Sequence, residues 1–283
     1  MNMEQDKHIT GPIGVFDSGY GGLTILRDLR RVLPQYEYLY LGDNARAPYG
    51  NRSFELVHRF TLESVKALFD YGCPLVILAC NTASAKALRT IQQQDLPGLD
   101  PTRRVLGIIR PTVERLGELS DTRHIGILGT RGTISSRSYD MEAAKLHPSF
   151  TVTGHACPMW VPLVENGEAD SDGADYFVKK EIDRLLELDH DIDSIILACT
   201  HYPLLLDKIR RHTPPRIRIV TQGMITALSL ADYLERHPEI ERRCSQTGNA
   251  RFLTTENAER FTDMATMFMG EPVTASQIEL SKC

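Results

Sequence analysis

The chain has 283 residues, enough for two domains of about 150 residues each. Its composition, 42% hydrophobic and 24% charged, is that of an ordinary globular protein and excludes disordered, collagen-like and coiled-coil chains. With 32 Lys and Arg against 37 Asp and Glu, the formal net charge is −5. No basic excess therefore exists to neutralise the phosphates of a nucleic acid or the surface of an anionic membrane.

The six cysteines show no closely spaced pair of the zinc-binding type, and a chain of this size does not need disulfide bonds for stability. They are predicted to be thiols in a reducing cytoplasm. The N-terminal stretch MNMEQDKHITGP is polar and lacks the apolar segment of a signal peptide. The apolar runs LVILAC and IILAC fall well short of the ~20 residues of a membrane span. We therefore expect a cytoplasmic protein without a membrane partner.

Short β-branched runs alternate along the chain with longer segments of helical period. Apolar residues recur at three- and four-residue spacing after Leu23, Phe54 and Val178, and Pro34 and Gly72 supply stop signals. This order is typical of βαβ units and predicts an α/β fold with mostly parallel sheets flanked by helices. The predicted strands begin at Ile13, Tyr38, Leu75, Val105, Ile125, Phe150, Ser194, Arg216 and Arg251.

A weak internal repeat divides the chain. IGVFDSGYGG from Ile13 is similar to IGILGTRGT from Ile125, and VILACNTAS is similar to IILACTHYP, at offsets of 112 and 119 residues. Any α/β protein shows strands followed by Gly/Ser loops, but the shared LAC at equivalent strand ends favours two pseudo-symmetric domains. The first crossing between them is placed near Gly107 to Pro111, and the return near Gln222 to Gly223.

Ligands bind open parallel sheets outside the carboxyl ends of the strands, where Cys80 and Cys199 are predicted to lie. If the two halves face each other, these thiols lie on opposite sides of one cleft. A thiol has an unperturbed pKa of about 8.5, and modest tuning lets it accept or donate a proton near neutrality. Two opposed thiols therefore suit inversion of a stereocentre, with Asp17 assisting Cys80 and His201 assisting Cys199.

Other polar groups at the strand ends can hold carboxylates and stabilise a carbanion, or serve only as helix caps and turns, and these roles are compatible. They belong to Ser18, Asn81, Thr82 and Thr200. The DSGYGG loop matches no nucleotide-binding motif, and no further Cys or His stands near Cys199 and His201, so neither a nucleotide nor a metal is predicted. Four cysteines are predicted to be structural: Cys73, Cys157, Cys244 and Cys283.

Seven strings spread over nearly the whole chain together resemble the bacterial glutamate racemases of the cofactor-independent kind. They are GVFDSGYGGLTILRDL, YLGDNARAPYG, ILACNTASA, LGTRGTISSRSY, CPMWVPLVENGE, ILACTHYPLL and FLTTENAERF. The resemblance implies interconversion of L- and D-glutamate for peptidoglycan synthesis, without pyridoxal phosphate, metal or other cofactor, by a homodimer. It also implies an active site in the cleft between a first domain of residues 1–107 plus 222–283 and a second of residues 108–221.

Carried over residue by residue, the resemblance makes Cys80 of ACNT the base that acts on D-glutamate and Cys199 of ACTH the base that acts on L-glutamate. Asp17 and His201 would assist them. Glu165 of PLVENGE is similar to the family's glutamate near the second thiol, and otherwise reads as a solvated loop carboxylate. The implied substrate contacts are Asp17, Ser18, Tyr49, Gly50, Asn81, Thr82, Thr200 and His201.

The sequence departs from the family pattern in two places. Tyr20 stands where a small aliphatic residue is usual, and Thr221, Gln222 and Gly223 replace a more usual Asp-Pro or Asp-Ser pair. Both departures concern cleft packing and hinge behaviour rather than the reaction. Two alternatives are an aspartate or related amino-acid racemase of the same superfamily and a non-catalytic amino-acid-binding or regulatory protein. Some glutamate racemases are thought to bind DNA gyrase, which no motif of this sequence supports.

Overall fold

The structure, a computed structural model, describes residues 10–280, which form two parallel sheets with helices on their faces. The strands are β1 (Ile13–Asp17), β2 (Tyr38–Gly42), β3 (Leu75–Leu78), β4 (Arg104–Gly107), β5 (His124–Gly129), β6 (Thr151–Ala156), β7 (Ser194–Ala198), β8 (Arg218–Val220), β9 (Ala250–Thr254) and β10 (Ala275–Gln277). The α/β class with parallel sheets flanked by helices is confirmed.

The helices follow the strands in near-regular alternation. They are α1 (Leu23–Val32), α2 (Phe54–Asp70), α3 (Asn81–Lys86), α4 (Leu88–Thr90), α5 (Leu96–Leu99), α6 (Ile109–Glu114), α7 (Leu116–Leu119), α8 (Arg131–Ser135), α9 (Ser138–Leu146), α10 (Trp160–Glu165), α11 (Asp172–Leu188), α12 (Leu206–His212), α13 (Gly223–Arg236), α14 (Pro238–Glu241) and α15 (Ala258–Met269). None of the helices formed by residues 10–280 combines the length and the apolarity needed to cross a membrane.

Within the described residues, the first sheet has the order β10-β9-β2-β1-β3-β4 and the second the order β6-β5-β7-β8, with parallel pairing throughout. The stretches β2-β1-β3-β4 and β6-β5-β7-β8 share one topology. The repeated segments occupy corresponding strands, β1 with β5 and β3 with β7, which supports the duplication. Because β5–β8 lie between the two predicted crossings and β9 and β10 return to the first sheet, we propose the domain boundaries as predicted.

Side chains of the central strand β1 alternate between two apolar layers. Ile13 and Val15 face the layer that contains Leu26 of α1, and Phe16 faces the layer that contains Val57 of α2. Full burial of each such side chain stabilises the fold by about 1.5–3 kcal/mol. Helices α13 and α15 pack beside α1 on the same face. This packing holds the loops at the carboxyl ends of the strands in place.

The structure differs from the predicted elements at three main points, the first being that β8 begins at Arg218 rather than at Arg216. The apolar run from Val105 was predicted as a strand through Ile109, but β4 ends at Gly107 and α6 begins at Ile109. A short apolar run does not by itself distinguish a buried strand from a buried helix, and Ile109 and Val113 face the core at helical spacing. Strand β10, which pairs with β9, was not predicted, because its three residues carry no apolar pattern.

Candidate active site

The loops at the carboxyl ends of the two sheets face each other across one cavity. The loops after β1 and β3 come from the first half of the chain, and the loop after β7 comes from the second. The predicted residues that line this cavity are Ser18, Tyr49, Gly50, Cys80, Asn81, Thr82, Glu165, Cys199, Thr200 and His201. The fold therefore places both thiols on the same cavity, as the repeat predicts.

Cys80 lies between β3 and α3 and is buried. Its Sγ atom lies 3.5 Å from Oγ of Ser18. Burial and the negative charge of Asp17 raise the pKa of Cys80 to about 12, against the opposing contacts of Ser18 and of the Ala83 N–H with the thiolate. Cys80 is therefore a protonated thiol at neutral pH and is suited to donate a proton.

Cys199 belongs to a chain of three side chains on the other side of the cavity. Its Sγ atom lies 3.9 Å from Nδ1 of His201, whose Nε2 lies 2.9 Å from Oε1 of Glu165. Burial disfavours a charged imidazole, but the contacts with Cys199 and Glu165 outweigh it and raise the pKa of His201 to about 10. The imidazolium present at neutral pH stabilises negative charge on the Cys199 sulfur.

Asp17 lies at the end of β1, fully buried beneath the cavity. Its carboxylate accepts hydrogen bonds from the Gly19 N–H at 2.9 Å and from Oγ1 of Thr200 at 3.4 Å. Burial raises the pKa of Asp17, although the positive charge of His201 opposes this. Among the hydrogen bonds of the described residues, Ser18 contacts the Cys80 thiol and Asp17 instead bridges to the second half. The assistance of Asp17 to Cys80 stays a prediction. Asp17 acts on the thiol through its negative charge, which raises the pKa of Cys80.

Several predicted substrate contacts also join loops to one another. Tyr49 donates its hydroxyl proton to the buried Asp43, and the Gly50 carbonyl accepts the N–H of Gly132 at 2.8 Å. Oγ1 of Thr82 lies 2.9 Å from Oγ1 of Thr130. These contacts hold the cavity walls together, and the binding role of each residue stays a prediction.

Thr130 and Arg131 line the cavity but were missed by reasoning from the sequence. Thr130 follows β5 and caps α8 by accepting the Thr133 N–H at 3.2 Å. The repeat contained a signal for it, because the offset of 112 residues that joins the IGVF and IGIL segments maps Ser18 onto Thr130. Val161 and Pro162 of α10 also line the cavity, and no sequence pattern pointed to them.

Tyr20, the first departure from the family pattern, packs against the C-terminal helix. Its ring lies 5.4 Å from that of Phe261 and 6.2 Å from that of Phe268, and its hydroxyl donates to Glu256 at 3.3 Å. The ring of Phe268 in turn contacts His201 edge-on at 5.8 Å. Tyr20 therefore affects how α15 supports His201, not the entrance to the cavity.

The other cysteines differ in position. Cys73 and Cys244 are buried in the cores beside the first sheet. Cys157 is also buried, but it lines the cavity. Cys283 lies outside the described residues. The structural role of all four stays a prediction.

Comparison with known proteins gives a consistent result. The family described as Asp/Glu/hydantoin racemase matches residues 23–230. A glutamate racemase of Ruegeria sp. (strain TM1040) is 40% identical over 272 residues, covering 93% of this chain and 98% of the relative. The solved glutamate racemase isoform RacE1 of Bacillus anthracis has a TM-score of 0.88 and 33% identity, covering 96% of this chain and 99% of that chain.

A second solved structure is that of the glutamate racemase of Francisella tularensis subsp. tularensis SCHU S4 in complex with D-glutamate. It has a TM-score of 0.83 and 27% identity, covering 96% of this chain and 98% of that chain. The family match spans most of the chain, and the two-sheet fold of this chain is shared over nearly the full length of both solved structures. The chain therefore belongs to the Asp/Glu/hydantoin racemase family and, within it, to the glutamate racemases.

Proposed function

We propose that this chain interconverts L- and D-glutamate by moving the α-proton between Cys199 and Cys80. The observation that carries the proposal is the pair of thiols on one cavity in contrasting environments, one held protonated by burial and the other beside an imidazolium. The relatives named glutamate racemase, one of them solved with D-glutamate, support glutamate as the substrate.

In the L to D direction, the Cys199 thiolate removes the α-proton and the electron pair of that C–H bond remains on Cα. The protonated Cys80 then gives its proton to the opposite face of Cα, which produces D-glutamate. Cys199 is left as a thiol and Cys80 as a thiolate, and this is the starting state for the reverse direction. The two thiols supply both proton transfers, so we propose a reaction that needs no cofactor.

The carbanion places negative charge on the α-carboxylate, which needs hydrogen-bond donors. We propose that Asn81, Thr82 and Thr200 supply them, since all three line the cavity beside the thiols. Arg131 also lines the cavity, and its positive charge suits a substrate carboxylate. Asp17 and Ser18 complete the proposed site beneath and beside Cys80.

We propose that the chain works in the cytoplasm as a homodimer and supplies D-glutamate for peptidoglycan. The resemblance in sequence supports the homodimer and the peptidoglycan role. The composition and the cysteine usage support a reducing compartment. A size measurement of the purified chain in solution tests the homodimer directly.

Circular dichroism of L-glutamate in D₂O, with the purified chain and no added cofactor, tests the proposed activity. We expect optical activity to be lost and the D-product to carry one deuterium at Cα by mass spectrometry, because the proton delivered comes from a thiol in exchange with solvent. Activity on aspartate but not on glutamate would show that the chain is an aspartate racemase. Failure with both amino acids would contradict a racemase.

Removal of the Glu165 charge is expected to change the pH profile. The carboxylate of Glu165 is one of the two contacts that raise the pKa of His201 to about 10, so Glu165→Gln lowers that pKa. The imidazolium then loses its proton at a lower pH, so the alkaline limb of the kcat/KM profile for L-glutamate shifts to lower pH. We expect roughly 3- to 10-fold lower kcat/KM at pH 9 and a smaller loss at pH 7.

Glu168→Gln is the matched control, since Glu168 is an exposed carboxylate just beyond α10. Its pH profile should follow that of the unmodified chain. An alkaline limb that does not move in Glu165→Gln would show that Glu165 does not set the protonation of His201.

A further inference from the structure

The return crossing carries a buried glutamine whose side chain closes a ring of hydrogen bonds. Gln222 is 3% exposed. Its Oε1 accepts from Nδ2 of Asn81 at 2.7 Å, and its Nε2 donates to the Tyr139 hydroxyl at 2.7 Å. The Tyr139 hydroxyl donates in turn to Oδ1 of Asn81 at 2.7 Å. We call these three side chains, Asn81, Tyr139 and Gln222, the amide clasp.

The surroundings of Gln222 decide the direction of this ring. Nε2 also lies 2.9 Å from Oγ1 of Thr112 and 3.3 Å from the carbonyl oxygen of Ile108. The Thr112 hydroxyl already donates to the same Ile108 carbonyl at 2.8 Å, so both oxygens act as acceptors toward Gln222. The NH₂ group must therefore face them, and Oε1 must face Asn81. The buried ring thus has one satisfied arrangement, and breaking it leaves buried polar atoms unpaired.

The amide clasp connects the two halves of the molecule. Asn81 directly follows Cys80 and begins α3, whereas Tyr139 belongs to α9 beside the second sheet. Gln222 precedes α13, and this crossing is tightly seated, because a Cβ on Gly223 would lie 1.9 Å from Oδ2 of Asp28 on α1. The clasp therefore ties the loop that carries Cys80 to the half that carries Cys199.

We infer that Gln222 is a positioning residue, which through the amide clasp holds Cys80 opposite Cys199 for proton transfer. The inference deepens the proposed function and rests on it. Proton transfer needs donor and acceptor within about 3 Å of the reacting atom, and a shift of about 1 Å can cost 100-fold in rate. Gln222 does not line the catalytic cavity, although it shares a neighbouring cavity with Cys199, and its hydrogen bond to Asn81 is its link to Cys80.

The test compares Gln222→Met, Tyr139→Phe and the double variant with the unmodified chain. Each single change opens the ring while nearly conserving volume. Gln92→Met is the control, since Gln92 donates one hydrogen bond to the Val105 carbonyl at 2.7 Å and lies outside the cavity. The unfolding midpoint of each variant is measured first. Well below that temperature, steady-state kinetics give kcat and KM for L-glutamate, and peptide mass spectrometry gives the rate at which iodoacetamide alkylates each thiol.

We expect kcat to fall about 10- to 100-fold in each clasp variant with KM changed less than about 3-fold, and Cys80 to be alkylated several-fold faster. The kcat of the double variant should not fall below that of the less active single variant, because either single change already opens the ring. Gln92→Met should keep kcat and alkylation within about twofold. If the amide clasp contributes only to stability, the clasp variants will have a lower unfolding midpoint but an unchanged kcat per folded molecule.

The clasp inference is overturned if kcat and the alkylation rate of both single variants stay within about twofold of the unmodified chain. If Gln222→Met does not fold, Tyr139→Phe, which removes one oxygen atom, tests the same ring. If the unmodified chain does not racemise glutamate, the proposed function fails separately. In that event the alkylation rates alone decide the clasp, with faster modification of Cys80 supporting it and equal rates overturning it.

Discussion

Replacing either cavity thiol with a hydroxyl is expected to abolish racemisation. Cys80→Ser and Cys199→Ser should each lower kcat by about 100- to 10,000-fold, because a serine hydroxyl is a far weaker acid than a thiol and is almost never ionised to act as the base. The steady-state rate is followed by circular dichroism in both directions. Both thiols are predicted to be necessary, since each direction uses one as base and the other as acid.

Isotope exchange separates the two thiols more sharply than the rate does. In D₂O, Cys80→Ser retains Cys199 and should still exchange the α-hydrogen of L-glutamate without forming D-glutamate. Cys199→Ser should show the reverse, with exchange confined to D-glutamate. Full turnover by either variant would refute the two-base assignment, and exchange of the opposite enantiomer would reverse the roles of the two thiols.

Cys244→Ser provides the matched control for these variants. Cys244 is buried, and its thiol donates to the Ile240 carbonyl at 3.4 Å, a contact that a hydroxyl can also make. It does not line the catalytic cavity. We expect kcat to stay within about twofold of the unmodified chain, which attributes the losses in the other two variants to their place on the cavity.

A second large effect is expected from adding one methyl group, by Gly21→Ala, to the first loop, which connects β1 to α1. A Cβ at position 21 would lie 2.3 Å from Oγ1 of Thr200 and 2.6 Å from Nδ1 of His201. Gly21→Ala must therefore displace the side chains of Thr200 and His201, the second of which contacts Cys199. We expect kcat to fall about 100-fold and the free energy of unfolding to fall by about 1–3 kcal/mol. Kinetics and urea unfolding measure the two effects.

Gly19→Ala is the control two residues away. A Cβ there would meet Oε1 of Glu165 at 3.6 Å, which is an ordinary contact. Its kcat should remain close to that of the unmodified chain. Equal kcat in Gly21→Ala and Gly19→Ala would show that the first loop and His201 are not packed as closely as the structure places them.

The α/β class and the two strand-end thiols follow from the sequence alone. Alternating apolar strands and helices specify parallel βαβ units, and the carboxyl ends of parallel strands share one edge of a sheet. The repeat therefore located Cys80 and Cys199 without any knowledge of the packing. The apolar pattern did not predict β10 or the start of α6, because a three-residue edge strand and a short apolar run show no decisive periodicity.

The contacts between distant side chains depend on the three-dimensional packing. Glu165 and His201 are 36 residues apart, and their contact depends on how α10 packs against the turn Tyr202–Leu205 that follows β7. Asp17 reaches Thr200 across 183 residues, leaving Ser18 beside Cys80. The amide clasp joins positions 81, 139 and 222, which no local pattern relates. Such contacts are set by the relative placement of the two sheets, whereas periodicity reports only the local conformation of the backbone and the face that each element buries.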